Sequence, residues 1–279
     1  MDDTRPPQAR FTLHDGTRLQ WHDWPAPQPR ARLLVVHGLG EHAGRYARLA
    51  ADLNALGISV RGFDLRGHGL SDGRRGVVPA REAALSHDLL ETFAAYAAEG
   101  DDLPFLLGHS LGGLVALHAV AMLGLRPRGL VVSSPALATH AGRFDRWLAR
   151  ALLRIAPDLA VANKLETGRL SHDPAVGPAY RSDPSVHDRI SARLAQYIFE
   201  TGPRAIAAAS RLAVPTLLQF AGSDALVDPA GAREFAALAP PTHLTAHEYP
   251  ALYHEIYHEA EPGRGEVLRD LGAWLRARL

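Results

Sequence analysis

The chain has 279 residues, of which 47% are hydrophobic and 22% charged, the profile of an ordinary globular protein with one large α/β domain or two small ones. Its 30 Lys plus Arg balance 30 Asp plus Glu, so no basic face is implied and no nucleic-acid partner is expected. With no cysteine, disulfides and thiolate chemistry are excluded, and any zinc site would depend on His and carboxylates. The start, MDDTRPPQ, lacks the basic and apolar regions of a signal peptide, and the longest apolar stretch, residues 111–125, falls short of the roughly 18 residues of a membrane span. A cytoplasmic protein, not integral to a membrane, is expected.

In chain order, residues 10–24 read as a hairpin around the Asp15-Gly16 turn. ARLLVVHG is a buried strand, RYARLAADLNALG a helix closed by Gly57, and ISVRGFDLRG a strand running into the glycine-rich loop RGHGLSDG. Residues 79–100 follow as a long helix, PFLLG as a strand leading through Ser110 into the helix LGGLVALHAVAML, and GLVVSSPAL as a return to the sheet. VPTLLQF, the helix PAGAREFAALA, THLTAHEY and a terminal helix over 264–279 repeat the rhythm. The alternation predicts a mostly parallel central sheet with helices on both faces.

Between Ser134 and about Leu212 the rhythm stops and the apolar pattern turns helical, which predicts a single domain over 1–279 with 135–212 inserted as a helical cap. Its first helix aligns Phe144, Trp147, Leu148, Ala151, Leu152 and Ile155, with Arg143, Arg146, Arg150 and Arg154 beside or opposite them. The commoner fate of such a stripe is to pack over the core. The alternative is peripheral contact of the cap with a membrane surface.

Gly108-His109-Ser110-Leu111-Gly112 fits G-x-S-x-G where a strand ends and a helix begins, the context that gives the motif meaning. The turn strains the serine backbone and needs small residues on either side. His109 is read as packing behind the nucleophile. A serine nucleophile needs a base and preorganised donors for an oxyanion; the backbone N–H groups of Leu111 and of Leu39, in the HGLG turn at residues 37–40, are the expected pair.

An α/β-hydrolase orders its triad Ser, acid, His, each after a strand. After VPTLLQF come Asp224 and Asp228; Asp228 precedes a proline and reads as a helix N-cap, leaving Asp224 as the acid. His254 lies on the loop after THLTAHEY and is the expected base. His254, Glu255 and His258 also spell H-E-x-x-H, a zinc-peptidase signature if helical. The later carboxylates Glu259, Glu261 and Glu266 stand too close to supply a third ligand, and Glu261 and Arg264 occupy the positions where another zinc pattern continues with Gly and His. No metal and no cofactor is expected.

HGLGEHAGRY, FDLRGHGLSDG, GHSLGG, GSDALVD, YHEIYHE and the SDP triplet at Ser182, Asp183 and Pro184 together resemble the monoacylglycerol lipase and lysophospholipase branch of the α/β-hydrolases over nearly the whole chain. The resemblance implies the triad Ser110, Asp224 and His254, with Leu39 and Leu111 as oxyanion donors. It also implies that Glu41 and Arg45 lie near the polar alcohol end of the substrate; a helix-start salt bridge supporting the oxyanion loop is the local alternative. Tyr257 occupies the position of a glycerol-contacting histidine of the eukaryotic members, so it is a candidate binding residue that departs from their pattern. Gly67, His68, Gly69 and Ser71 match a loop read as bracing. The expected function is a serine ester hydrolase of monoacylglycerols or similar single-chain lipid esters. A broad carboxylesterase, lysophospholipase, thioesterase or aminopeptidase, and a non-catalytic binding module of the same fold, are the alternatives.

Overall fold

The computed structural model describes residues 9–163 and 165–279; the N-terminal octet MDDTRPPQ lies outside the described residues. The strands are β1 (Arg10–Thr12), β2 (Arg18–Trp24), β3 (Ala31–Val36), β4 (Ile58–Phe63), β5 (Phe105–His109), β6 (Leu130–Ser133), β7 (Ala160–Ala162), β8 (Arg189–Ser191), β9 (Thr216–Ala221) and β10 (Leu244–Tyr249). Eight of them form one sheet in the order β1-β2-β4-β3-β5-β6-β9-β10. The hairpin β1-β2 is antiparallel and joins β4 antiparallel, whereas β4, β3, β5, β6, β9 and β10 run parallel.

The inner parallel strands β3, β5, β6 and β9 are mostly apolar and almost wholly buried because both faces are covered. Leu33 and Val35 point into one core beneath α1 (Ala47–Asn54) and the terminal helix α8 (Gly263–Arg276). Leu34 and Val36 point into the opposite core with α2 (Ala84–Ala97) and α3 (Leu111–Ala121). The period-2 alternation of a strand thus divides one sequence run between two helix layers. Each fully buried leucine contributes about 1.5–3 kcal/mol.

Helix α2 starts later than its sequence pattern predicts. Ala83 has φ 52°, a left-handed conformation that an α-helix cannot run through, so residues 80–83 form bends and a turn instead.

Between β6 and β9 lie α4 (Arg143–Ile155), α5 (Val176–Ser182) and α6 (Ala192–Ala207), together with the antiparallel ribbon β7-β8; α7 (Ala230–Leu238) follows β9. The ribbon was not legible in sequence, because two three-residue strands cannot show an alternating pattern. The core-packing expectation for α4 is corrected in part. Ala149 is buried, but Phe144, Trp147 and Ile155 are 68%, 61% and 82% exposed, so much of the apolar stripe faces outward. No helix among the described residues is long and apolar enough to cross a membrane.

Candidate active site

Strand β5 delivers Ser110 to the helix α3 through a strained turn, with φ 53° and ψ −117°. The space required is supplied by glycine on both sides. A Cβ on Gly108 would meet the Gly112 carbonyl oxygen at 2.4 Å, and one on Gly112 would meet that of Val36 at 2.1 Å. The Ser110 amide donates to Ser133 O at 2.9 Å, so the turn is tied to the neighbouring strand end. Leu111 is the first residue of α3, and its amide therefore has no acceptor within the helix.

The turn after β3 presents the second amide. His37 is fully buried; its Nδ1 donates to Gly38 O at 2.8 Å and its Nε2 accepts from Leu65 N at 2.8 Å. Gly38 O and the Leu39 N–H belong to one peptide unit and point in opposite directions when that unit is trans. Holding the carbonyl toward His37 therefore turns the Leu39 amide the other way. Gly38, Leu39, Ser110, Leu111 and His254 all line one cavity of about 500 Å³.

His254 lies on an irregular loop after β10, and its Nδ1 is 2.6 Å from Asp224 Oδ2. The other oxygen, Asp224 Oδ1, accepts from Leu226 N at 2.8 Å and Val227 N at 3.0 Å. Burial opposes ionisation of Asp224, but the His254 charge and these hydrogen bonds hold its carboxyl below the usual range. An ionised carboxylate only accepts, so Nδ1 carries the proton and Nε2 keeps its lone pair. For His254, burial favours the neutral ring, yet the Asp224 charge outweighs it and raises the pKa above the ordinary 6.5.

His109 lies behind this pair, its ring centroid 4.8 Å from that of His254 and its Nδ1 3.1 Å from Ser133 Oγ. Burial first, and the charge of His254 second, bring its pKa down to about 4. It is therefore neutral at pH 7. The H-E-x-x-H segment forms turns rather than a helix. His254 is engaged by Asp224, and His258 Nε2 bonds Arg45 O at 3.1 Å, so the two imidazoles are held by different partners.

Glu41 and Arg45 occupy one buried network. Glu41 Oε1 accepts from Gly38 N at 2.5 Å and from Tyr46 OH at 2.8 Å, and Oε2 accepts from Arg45 Nη1 at 2.6 Å. Arg45 also donates through Nη1 and Nη2 to the two oxygens of Glu255, each at 2.7 Å. Burial pushes both carboxyls toward the neutral form, but the guanidinium overrides it and holds Glu41 at about 2 and Glu255 well below its ordinary value. Glu41 lines the cavity and Arg45 does not. Tyr257 is outside it as well: 2% exposed, it sits in the core beneath the sheet and donates to Gln219 Oε1 at 2.8 Å. The alcohol-contact expectation for Tyr257 is thereby corrected, since the loop turns its ring into the core.

The segment between β6 and β9 closes over these loops. His42 Nε2 is 2.8 Å from Asp183 Oδ2, His187 N donates to Gly40 O at 2.8 Å, and Tyr180 covers Arg45 with its ring 4.8 Å from the guanidinium carbon. Glu255 N donates to Leu170 O at 2.8 Å. Glu259 accepts from the amides of Tyr253 at 2.7 Å and His172 at 2.9 Å. Sequence reasoning overlooked Glu255, Glu259 and Tyr180. The first two stand inside the YHEIYHE run, whose pattern offers Glu255 only as a zinc peptidase's base and Glu259 only as a third zinc ligand placed too close. The GHG-x-S loop braces as expected: Ser71 Oγ donates to Asp64 O at 2.6 Å, while the Asp64 carboxylate accepts from Ala43 N at 2.9 Å and Leu70 N at 2.8 Å.

A mostly parallel sheet whose strand-end loops bring a serine elbow and an acid-paired imidazole to one cavity is the architecture of the α/β-hydrolases. Solved structures agree. The monoacylglycerol lipase of Paleococcus ferrophilus superposes with a TM-score of 0.84 at 35% identity, covering 94% of this chain and 99% of its own. A soluble variant of the Saccharomyces cerevisiae monoglyceride lipase, in complex with a substrate analog, gives 0.85 at 25% identity over 99% of this chain and 96% of its own.

The chain belongs to the serine aminopeptidase S33 family, which it matches over residues 27–261. A monoacylglycerol lipase of Mycolicibacterium smegmatis is 33% identical over 95% of both chains, and the human monoglyceride lipase 30% identical over 95% of this chain and 88% of its own. An uncharacterized abhydrolase domain-containing protein of Dictyostelium discoideum is 31% identical over 97% of this chain, which spans only 29% of that longer protein.

Proposed function

We propose that this serine ester hydrolase cleaves monoacylglycerols and similar single-chain lipid esters through an acyl-enzyme on Ser110. The observation that carries the reading is the short His254–Asp224 hydrogen bond beside the strained Ser110 turn, at a shared cavity. His254 Nε2 takes the serine proton as Oγ attacks the ester carbonyl. The amides of Leu39 and Leu111 hold the oxyanion, and the imidazolium, stabilised by Asp224, returns the proton to the departing alcohol. Water then enters, loses a proton to His254 and releases the fatty acid.

The substrate class rests on the cavity wall and on the lipases to which the chain is similar. Beyond the polar groups around Ser110, residues 135–212, read as the cap, contribute Leu148, Leu152, Leu165, Ile190, Ile198 and Phe199 to the lining. An acyl chain gains by burying its methylenes there, at about 0.8 kcal/mol each. The outward residues Phe144, Trp147 and Ile155, flanked by exposed Arg143, Arg150 and Arg154, fit peripheral contact with a lipid surface. Such contact would draw the enzyme to where single-chain lipids partition.

Turnover compared across a monoacylglycerol, lysophosphatidylcholine, an acyl-CoA and an amino-acid anilide tests the assignment. The monoacylglycerol should give the highest kcat/KM. Preference for the anilide would move the protein to the peptidase activity that its family's description carries.

A further inference from the structure

We infer that Arg45 is a positioning residue that locks the oxyanion loop to the loop bearing His254, and that it does so without touching the substrate. The inference rests on the acyl-transfer roles proposed for Ser110 and His254. Two loops have to be held in mutual register for that reaction, one after β3 with the Leu39 amide and one after β10 with the imidazole. They stand more than two hundred residues apart in sequence, and one guanidinium joins them: Arg45 Nη1 reaches Glu41 at 2.6 Å, and the same group with Nη2 grips Glu255 at 2.7 Å twice.

Each end of the brace acts one step from a reacting group. Glu41 Oε1 takes the Gly38 amide at 2.5 Å, which fixes the residue immediately before Leu39. Glu255 directly follows His254, and its own amide is tied to Leu170 O at 2.8 Å. Movement of Glu255 would carry the imidazole with it.

The partners of these groups argue against a primary role in gripping the alcohol. Both carboxylate oxygens of Glu41 are already bonded within the protein. Arg45 is absent from the cavity wall, its side chain is only 12% exposed, and Tyr180 covers it. A planar fork is needed to serve two carboxylates at once, and the point charge of a lysine does not reproduce it.

Two esters with the same acyl chain separate positioning from alcohol recognition: a p-nitrophenyl ester, whose alcohol carries no hydroxyls, and the matching monoacylglycerol. The full-length protein and its Arg45→Lys variant are assayed on both, with rates normalised to Ser110 titrated by a fluorophosphonate so that loss of folded enzyme does not count. The expected result is a fall in kcat of about 10- to 100-fold on both esters alike, the scale that small misplacement of reacting groups produces, with KM within about threefold. Fluorophosphonate labelling should slow by a similar factor.

A loss confined to the monoacylglycerol, or to KM, overturns the inference in favour of alcohol binding, and unchanged turnover overturns it outright. If Arg45→Lys does not fold, Glu255→Gln, which retains one carbonyl acceptor, is held to the same criteria. Failure of the wild-type protein to label at Ser110 overturns the acyl-enzyme reading and the brace together. Normal labelling of wild type with full turnover by the variants removes the brace alone.

Discussion

His109 and His254 lie with their ring centroids 4.8 Å apart, yet the fold moves them in opposite directions from the ordinary imidazole pKa, His109 down to about 4 and His254 upward. Burial favours neutrality for both. Only His254 has a carboxylate in contact to reverse it, and its resulting charge deepens the depression at His109. The two rings therefore give opposite contributions to stability as pH changes.

A depressed folded pKa makes the His109 contribution complete above 6.5 and lost as pH falls through about 4. The raised value of His254 acts the other way, its contribution present below 6.5 and lost as pH rises through the folded pKa. Replacing His109→Phe should shrink the loss of stability between pH 7 and pH 4 by on the order of 3 kcal/mol, at about 1.4 kcal/mol per unit. Urea midpoints at the two pH values measure it; an unchanged difference would show that the buried ring does not titrate as described.

In the proposed mechanism His254 has to be unprotonated to accept the serine proton. The acid limb of kcat/KM should therefore have its midpoint above 6.5. In Asp224→Asn the midpoint should drop, because the charge that supports the imidazolium is gone, and kcat should fall by roughly 10³- to 10⁴-fold through loss of the correct tautomer. A pH–rate profile of both proteins reports the two effects together.

Ser110→Ala should abolish ester turnover while leaving the fold intact. Gly112→Ala should do more damage to stability than to chemistry, since its Cβ would stand 2.1 Å from the Val36 carbonyl oxygen. A cost of about 3 kcal/mol or more is expected, seen as a lowered Tm. A Gly112→Ala protein as stable as wild type would mean that the elbow is looser than described.

Asp183→Ala removes the partner of His42 Nε2, one of the contacts between residues 135–212 and the loop after β3. The expected loss is about 1 kcal/mol in urea unfolding, accompanied by a raised KM for long-chain esters. Proteolysis within residues 135–212 should also quicken.

Trp147→Ser combined with Ile155→Ser tests the lipid-surface contact, because both side chains face outward. Sedimentation with anionic vesicles should fall several-fold, as the buried apolar area and charge attraction scale. Turnover of a soluble p-nitrophenyl ester should stay unchanged. Equal vesicle binding by the variant would remove α4 from the contact.

Much was legible in the linear chain because the relevant physics is local. The apolar runs of β3, β5, β6 and β9 announce strands covered on both faces, and Gly108-His109-Ser110-Leu111-Gly112 can be read at the strand-to-helix junction because only glycine tolerates the contacts there. The aspartate before Pro229 reads as a cap, and Asp228 Oδ1 indeed accepts from Ala230 N at 2.9 Å. What local pattern could not decide was direction. Tyr257 and Glu255 are neighbours in one short loop, but one ring turns into the core to reach Gln219 and the other side chain turns toward Arg45. The stripe on α4 is visible as a helical period, whereas which of its residues meet the cavity and which meet the outside depends on how the helix packs against α6. Residue type and spacing specify what a side chain can do; its partner is chosen only when segments hundreds of residues apart are packed together, because burial leaves each charged group a single arrangement in which its hydrogen bonds are met.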